Sequence, residues 1–195
     1  MLHRPISKIS IFAKMFEKII YADILNTVKS IIIDEQHGFC PHKSLESNLL
    51  CLSQSVCEVM ENQEQMDCIY TDFSKAFDKI SHNHLVKRLA EVGVCAGLLG
   101  WVWSYICNRK QIVVVNGFHS EPFEATSGVP QGSHLGPLFF IVYTNNIIEC
   151  FKNSKFLLYA DDLKVYRLIK DQSDCLSLQE DLKRLSVYCK KIAFF

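Results

Sequence analysis

The sequence predicts an α+β fold in which helices pack on a small antiparallel sheet, and three patterns carry that expectation. Long stretches repeat apolar residues at every third and fourth position, as amphipathic helices do. The run "MDCIYTDF" (66–73) alternates well enough for a strand ending near Asp72. Two further apolar segments turn on tight dipeptides and read as hairpins.

In chain order, "IFAKMFEKIIYADILNTVKSII" (11–32) predicts an amphipathic helix with Ile11, Met15 and Ile19 in one row and Phe12, Phe16 and Ile20 in the next, after an extended "HRPIS". "DEQHGFCPHKS" (34–44) has no periodicity and reads as a loop before a helix over roughly 45–62. After the strand at 66–73, a helix runs from His82 to Val92 and a second, more apolar one covers 97–108. "QIVVVNGFHSEPFEATSG" (111–128) predicts a hairpin turning at Asn116-Gly117. The loop "SGVPQGSHLGP" (127–137) feeds the helix "LFFIVYTNNIIECF", and "FLLYADDLKVYR" (156–167) reads as two strands joined at the acidic pair. A last amphipathic helix sets Leu178, Leu182, Leu185 and Cys189 on one face. The final Phe-Phe stops mid-pattern without a cap, which leads one to expect a truncated chain.

With 195 residues, 49% of them hydrophobic, the chain suits one domain or two small lobes sharing a core. Its 21 basic and 21 acidic residues cancel, which excludes a global basic field. A nucleic-acid partner must then be held by local patches or by metal. Cys40, Cys51, Cys57, Cys68, Cys95, Cys107, Cys150, Cys175 and Cys189 are scattered singly with no CxxC pair. That fits buried thiols in a reducing compartment and argues against structural zinc. No apolar run approaches the roughly 18 residues of a membrane span, and "MLHRPISKIS" lacks a signal-peptide core. The expectation is an intracellular protein of nucleus and/or cytoplasm with no membrane partner.

The chemistry lies in the acidic strand ends. Adjacent carboxylates such as Asp161 and Asp162 repel unless water or a cation compensates them. If their hairpin neighbours the strand ending at Asp72, three carboxylates converge at one sheet edge. That is the requirement of a site for two divalent cations about 3.5 to 4 Å apart, with phosphoryl or nucleotidyl transfer as the reaction class. An Asp at a strand end also bonds local backbone, which is the ordinary reading of Asp72 alone and of Asp78 at a turn or helix start. The Gly128, Pro130, Gln131, Gly132 loop before a helix can let backbone approach a nucleotide, although many turns share that composition.

The order of the pieces is specific. "DFSKAFDKISHNHLVKRL", "NRKQIVVVNG", "SGVPQGSHLGPLFFIVYTNNI" and "YADD" follow one another in a way that resembles the reverse transcriptase domain of LINE-type, non-LTR, jockey-like retrotransposons. Upstream, "RPISKISIFAKMFEKII" and "QHGFCPHKS" resemble that family's N-terminal fingers motifs, so the likeness covers nearly the whole chain.

The resemblance implies a right-hand polymerase, with residues 1–65 as fingers and N-terminal helices, 66–195 as palm with an interleaved fingers segment, and the chain stopping before the thumb. It implies RNA-directed DNA polymerase activity on an RNA template, a DNA primer and dNTPs. Asp72, Asp161 and Asp162 would hold two Mg2+ ions, with Mn2+ as a substitute. Phe77 matches a steric gate against ribonucleotides, Gln131 a nucleotide contact with Gly132 shaping the floor, and Lys43 a basic residue facing the triphosphate. Tyr159 and Ala160 fall near the primer terminus. The departures are Cys40, where many relatives carry an Arg whose fork of donors a thiol cannot supply, and the ending at "YCKKIAFF". Phe77 packed as an ordinary core ring, a solvated Lys43, and Arg109 and Lys110 as a solvated helix end or as phosphate contacts are the competing local readings; His82 and His84 form an HxH pair that reads as a plain connector in preference to a metal site. The competing global reading is a catalytically inactive retroelement remnant that binds RNA or is structural; a palm polymerase making RNA is a third, opposed by Phe77.

Overall fold

The computed structural model describes residues 6–192. The expected extended start at "HRP" and the Phe194-Phe195 ending lie outside the described residues. In order the chain forms α1 (Ile11–Val28), α2 (Leu45–Glu61), β1 (Gln65–Asp72), α3 (His82–Glu91), α4 (Ala96–Ile106), β2 (Arg109–Gln111) and β3 (Val114–Val115). There follow β4 (Phe118–His119), β5 (Phe123–Ala125), α5 (Leu135–Thr144), a 3₁₀ turn (Asn145–Cys150), β6 (Lys155–Tyr159), β7 (Asp162–Ile169) and α6 (Gln172–Lys191). The α+β class is as expected. The chain divides into two compact units, one made of residues up to Ile31 with Phe77–Tyr143, the other of Ile32–Ala76 with everything from Thr144 onward.

The second unit is built on an antiparallel sheet of order β1-β7-β6. Cross-strand partners share a face, so Met66, Cys68, Tyr70 and Asp72 of β1 lie on one side with Leu168, Tyr166, Lys164 and Asp162 of β7. Leu157 and Tyr159 of β6 complete that face. Helix α2 covers it: Leu52 packs on Leu157 and Tyr166, ringed by Val56, Met66 and Cys68. Fully burying such side chains contributes about 1.5–3 kcal/mol each. The helix starts where Ser44 and Ser47 cap each other reciprocally, each hydroxyl accepting the other's backbone N–H.

Helix α6 packs against β7 and the 3₁₀ turn. It starts at Asp171, whose carboxylate accepts the N–H groups of Ser173 and Asp174. Leu178, Leu185 and Cys189 are buried on its inner face with Asp181, while Leu182 is only half-buried. Burial alone would raise the Asp181 carboxyl, but bonds from the Lys152 and Asn153 N–H groups and from Arg184 pull it below the ordinary range.

In the first unit α3 packs on α4. The segment after α4 is the expected hairpin, with β2 pairing β5 and β3 pairing β4 across the Asn116–Gly117 turn. α5 is buried along nearly its whole length. Most of the apolar repeat of α1 is not buried: Phe12 is 81% exposed and Ile11, Met15, Phe16 and Ile19 are exposed with it. The buried row is Glu17, Ile20, Ile24 and Val28. A helix with apolar residues on several rows does not declare which row meets the protein, and here the buried row includes a carboxylate. Buried thiols are also only partly found: Cys150 and Cys189 are buried, their thiols pushed up to about 11 by burial, whereas Cys51, Cys57 and Cys95 are exposed.

Candidate active site

The β1–β7 register ends with Asp72 opposite Asp162, and Asp162 is also opposite Tyr159 of β6. Tyr159, Asp162 and Asp72 therefore form the last row of one sheet face, just beyond the part α2 covers. Both carboxylates in the row are exposed. The condition left open by sequence, that the two strands be neighbours, is met.

The turn differs in detail from the expectation. Its two residues are Ala160 and Asp161, and Asp162 already belongs to β7. Ala160 takes the left-handed conformation at φ 56° and is buried. The half-buried Asp161 accepts the Phe73 N–H on its carbonyl at 3.4 Å, which ties the turn to the end of β1.

Loop 33–38 backs this turn. Glu35 and His37 form backbone bonds with Leu158 (2.8 and 2.9 Å), extending the sheet past β6. The buried Gln36 side chain clips the turn: its Oε1 accepts the N–H of Ala160 (3.0 Å) and of Gly38 (2.8 Å), and its Nε2 donates to the Ala160 carbonyl (3.4 Å). Gly38 lies so close that a Cβ there would sit 2.9 Å from the Tyr159 carbonyl carbon and overlap Ala160. One row behind the carboxylates, the buried Lys164 ammonium donates to Asn48 Oδ1 at 2.6 Å, and Asn48 Nδ2 donates to the Leu158 carbonyl at 3.1 Å. The Lys164 α-carbon is two residues, about 7 Å, along the strand from that of Asp162. The Lys43 ammonium donates to the Asp34 carbonyl at 2.6 Å, with the Asp34 carboxylate at 3.5 Å. Burial raises the Cys40 thiol, with Lys43 acting in the opposite sense.

The remaining expected residues lie in the first unit. Phe77 is half-buried with its ring centroid 5.2 Å from that of Phe140. The loop around Gln131 is latched to the Phe77–Ile80 turn by four bonds. Val129 N–H donates to the Phe77 carbonyl (2.9 Å), Gly128 N–H to Ile80 (2.8 Å), the Ser127 hydroxyl to the Asp78 carbonyl (2.8 Å), and Gln131 Nε2 to Asp78 Oδ1 (3.2 Å). Gly128 has φ +81°, and a Cβ there would stand 2.7–2.8 Å from the Asp78 and Phe77 carbonyl oxygens. Gly132 is exposed, with φ +92°.

Arg109 is not the solvated helix end of the competing reading. It is half-buried and donates from Nε to the Ile106 carbonyl and from Nη2 to the Gly128 carbonyl. His82 is buried against the same carbonyl (2.9 Å) while His84 is exposed, so the HxH pair is divided between core and solvent. Lys110 is exposed. Sequence reasoning gave no role to Gln36, Glu17 or Asn48. The signal for Glu17 is an acid in register with Ile20 and Ile24; Gln36 and Asn48 offer none locally.

The donor set of Asp72, Asp161 and Asp162 is all carboxylate oxygen, which suits hard cations such as Mg2+ or Mn2+. Asp72 and Asp162 share a row on one face and Asp161 directly precedes Asp162 in the turn, so the set fits in kind and in position along the chain. Among the described residues no group of three or more His, Cys, Asp or Glu is closed up to hold a metal ion. No described helix is long and apolar enough to cross a membrane.

The described residues thus present a small antiparallel sheet, backed by helices, whose last row carries two carboxylates. The chain belongs to the reverse transcriptase (RNA-dependent DNA polymerase) family, whose model matches residues 2–194. It is 31% identical over 97% of its length to the probable RNA-directed DNA polymerase from transposon BS of Drosophila melanogaster. It is 25% identical, again over 97%, to that from transposon X-element of the same species. With the RNA-directed DNA polymerase from mobile element jockey of Drosophila funebris it shares 28% identity over 84%. The chain spans about a fifth of these relatives: 22%, 22% and 19% of their lengths. Among solved structures it is similar in fold to apo telomerase from Candida tropicalis truncated from the C-terminal domain, with TM-score 0.62, 14% identity, 91% of this chain and 41% of that one. Telomerase from Candida albicans in complex with a TWJ fragment of telomeric RNA matches at TM-score 0.57 and 15% identity, over 86% and 32%. The jockey-like resemblance is thus borne out.

Proposed function

We propose that this chain supplies the catalytic palm of an RNA-directed DNA polymerase that extends a DNA primer on an RNA template from dNTPs. The observation that carries the reading is the register that sets Asp72 opposite Asp162, with Asp161 next to it in the turn. Like charges so placed repel across the strands and call for a divalent cation. Asp72, Asp161 and Asp162 are the residues to hold Mg2+, which when bound supplies charge neutralisation for nucleotidyl transfer. Around them, Tyr159 extends the row on β6 as the primer-side contact, and Ala160 keeps the turn free of bulk.

Within the family reading, Phe77 excludes the ribose 2′-hydroxyl, Gln131 contacts the nucleotide beside Gly132, and Lys43 releases Asp34 to face the triphosphate. The whole protein's template, partners and place in the nucleus or cytoplasm belong to the same proposal. The test is extension of a DNA primer on an RNA template by purified protein in Mg2+, beside Asp161→Asn. Incorporation that disappears in Asp161→Asn is expected. No incorporation by wild type, together with RNA binding that ignores the Asp161 substitution, would instead favour the inactive remnant.

A further inference from the structure

We propose that Gln36 is a positioning residue for the carboxylate-bearing turn: its amide clips Ala160 into the left-handed conformation that sends the chain from Tyr159 into Asp161 and Asp162. The inference rests on the polymerase reading and adds a role to a residue outside the carboxylate set.

A left-handed residue between two strands is ordinarily a glycine, since a Cβ at positive φ crowds the following carbonyl by about 1–2 kcal/mol. Here the position is Ala160, at φ 56° and buried. Something must hold it, and one side chain bonds both of its backbone groups. Gln36 Oε1 takes the Ala160 N–H at 3.0 Å and Gln36 Nε2 reaches the Ala160 carbonyl at 3.4 Å. The same Oε1 accepts the Gly38 N–H at 2.8 Å, so the amide is pinned by its own loop before it pins the turn. Gln36 is 2% exposed, so water does not compete for these groups. Gly38 completes the clip by negative space, since a Cβ there would overlap Ala160. The paired backbone of Glu35 and His37 with Leu158 fixes the loop that carries the amide.

A misplacement of about 1 Å at reacting groups costs on the order of 10²-fold in rate. The clip therefore acts on turnover rather than on nucleotide capture. The experiment uses the full chain as wild type, Gln36→Met, Gln36→Asn, Gln36→Met/Ala160→Gly and Asp161→Asn. Single-dNTP incorporation and amide hydrogen exchange at Ala160 are measured on each. Gln36→Met should lose about 10²-fold in kcat with dNTP KM within about threefold, and Ala160 amide exchange should quicken at least tenfold while β7 amides keep their protection. Gln36→Asn, which stays polar but is one methylene short, guards against a misfolded Met variant and should lose kcat in the same way. Ala160→Gly should restore at least tenfold of the loss, because glycine takes positive φ unaided. Wild-type kcat and protection in both single variants, or a kcat loss that Ala160→Gly leaves untouched, overturns the inference and leaves the polymerase reading standing. Incorporation unaffected by Asp161→Asn, or none by wild type, overturns that reading and the positioning role with it.

Discussion

Asp72 and Asp162 stand directly opposite each other as the last pair of β1 and β7, both exposed and both on the sheet face that α2 covers further along. A like-charged cross-strand pair destabilises its sheet end. Asp162→Asn should therefore raise Tm by about 1–4 °C in metal-free buffer. Millimolar Mg2+ or Mn2+ should raise the wild-type Tm and leave Asp72→Asn and Asp162→Asn nearly unmoved, by the mass action of a ligand that binds only the folded state. Thermal unfolding with and without the ion checks both, and an equal metal shift in all three proteins would dissociate the row from metal binding.

The Phe77 ring meets Phe140 at 5.2 Å, which is a packing contact, while the proposed function gives the same ring a second role as a gate against ribonucleotides. The two roles separate by substitution. Phe77→Ala should cost about 2 kcal/mol by urea unfolding, and should raise rNTP incorporation relative to dNTP at least tenfold. Phe77→Leu should keep most of the stability while still loosening selection. Unchanged nucleotide selection in the Ala variant would leave Phe77 as a core residue only.

The carboxylate of Glu17, buried in α1, accepts the Tyr105 hydroxyl at 2.8 Å and the His134 N–H at 2.7 Å, next to the start of α5. Burial, with Glu17 adding in the same direction, pushes the Tyr105 hydroxyl far above its ordinary value. Glu17→Gln leaves one acceptor for two donors and should destabilise the fold by about 1.5–3 kcal/mol, the range for a hydrogen bond to a charged group. Combining it with Tyr105→Phe should give less than the sum, with a coupling of about 1 kcal/mol in a double-mutant cycle. Strict additivity would mean that the two side chains do not act as a unit.

Helices and strands were legible because each states its period locally, and the strand pairing at Asp72 was legible only as a condition. Nothing near residue 72 says that residue 162 is opposite it; the sheet supplies that. The buried face of α1 was not legible because its apolar residues occupy several rows, and the buried row includes Glu17, whose partner Tyr105 is 88 residues away. Gln36 was legible as part of a motif but not as a clip, since its partner Ala160 is 124 residues distant and offers only backbone groups. Side chains that bond distant backbone leave no periodic trace, whereas those that pack do.

His82 contributes a pH dependence in the first unit. Burial holds its imidazole below the ordinary 6.5, Arg109 adds to that, and the Gly128 carbonyl pulls the other way. The carbonyl can only accept, so Nε2 carries the proton and Nδ1 faces the Cys107 thiol at 3.5 Å. His37 is lowered too, first by burial and then by Lys43 and Lys164. Below pH 6.5 the unfolded chain thus binds more protons than the native one, and stability rises with pH in that window. The contribution is full above 6.5 and is lost as pH falls through 6.5 toward the lower folded values. Urea unfolding from pH 7.5 down to 5.5 should show stability declining by at most about 1.4 kcal/mol per pH unit for each histidine. His82→Gln, which keeps a donor for Gly128 but does not titrate, should remove its share of the slope. A variant slope equal to wild type would show that the imidazole at 82 stays as readily protonated in the folded chain as in the unfolded one.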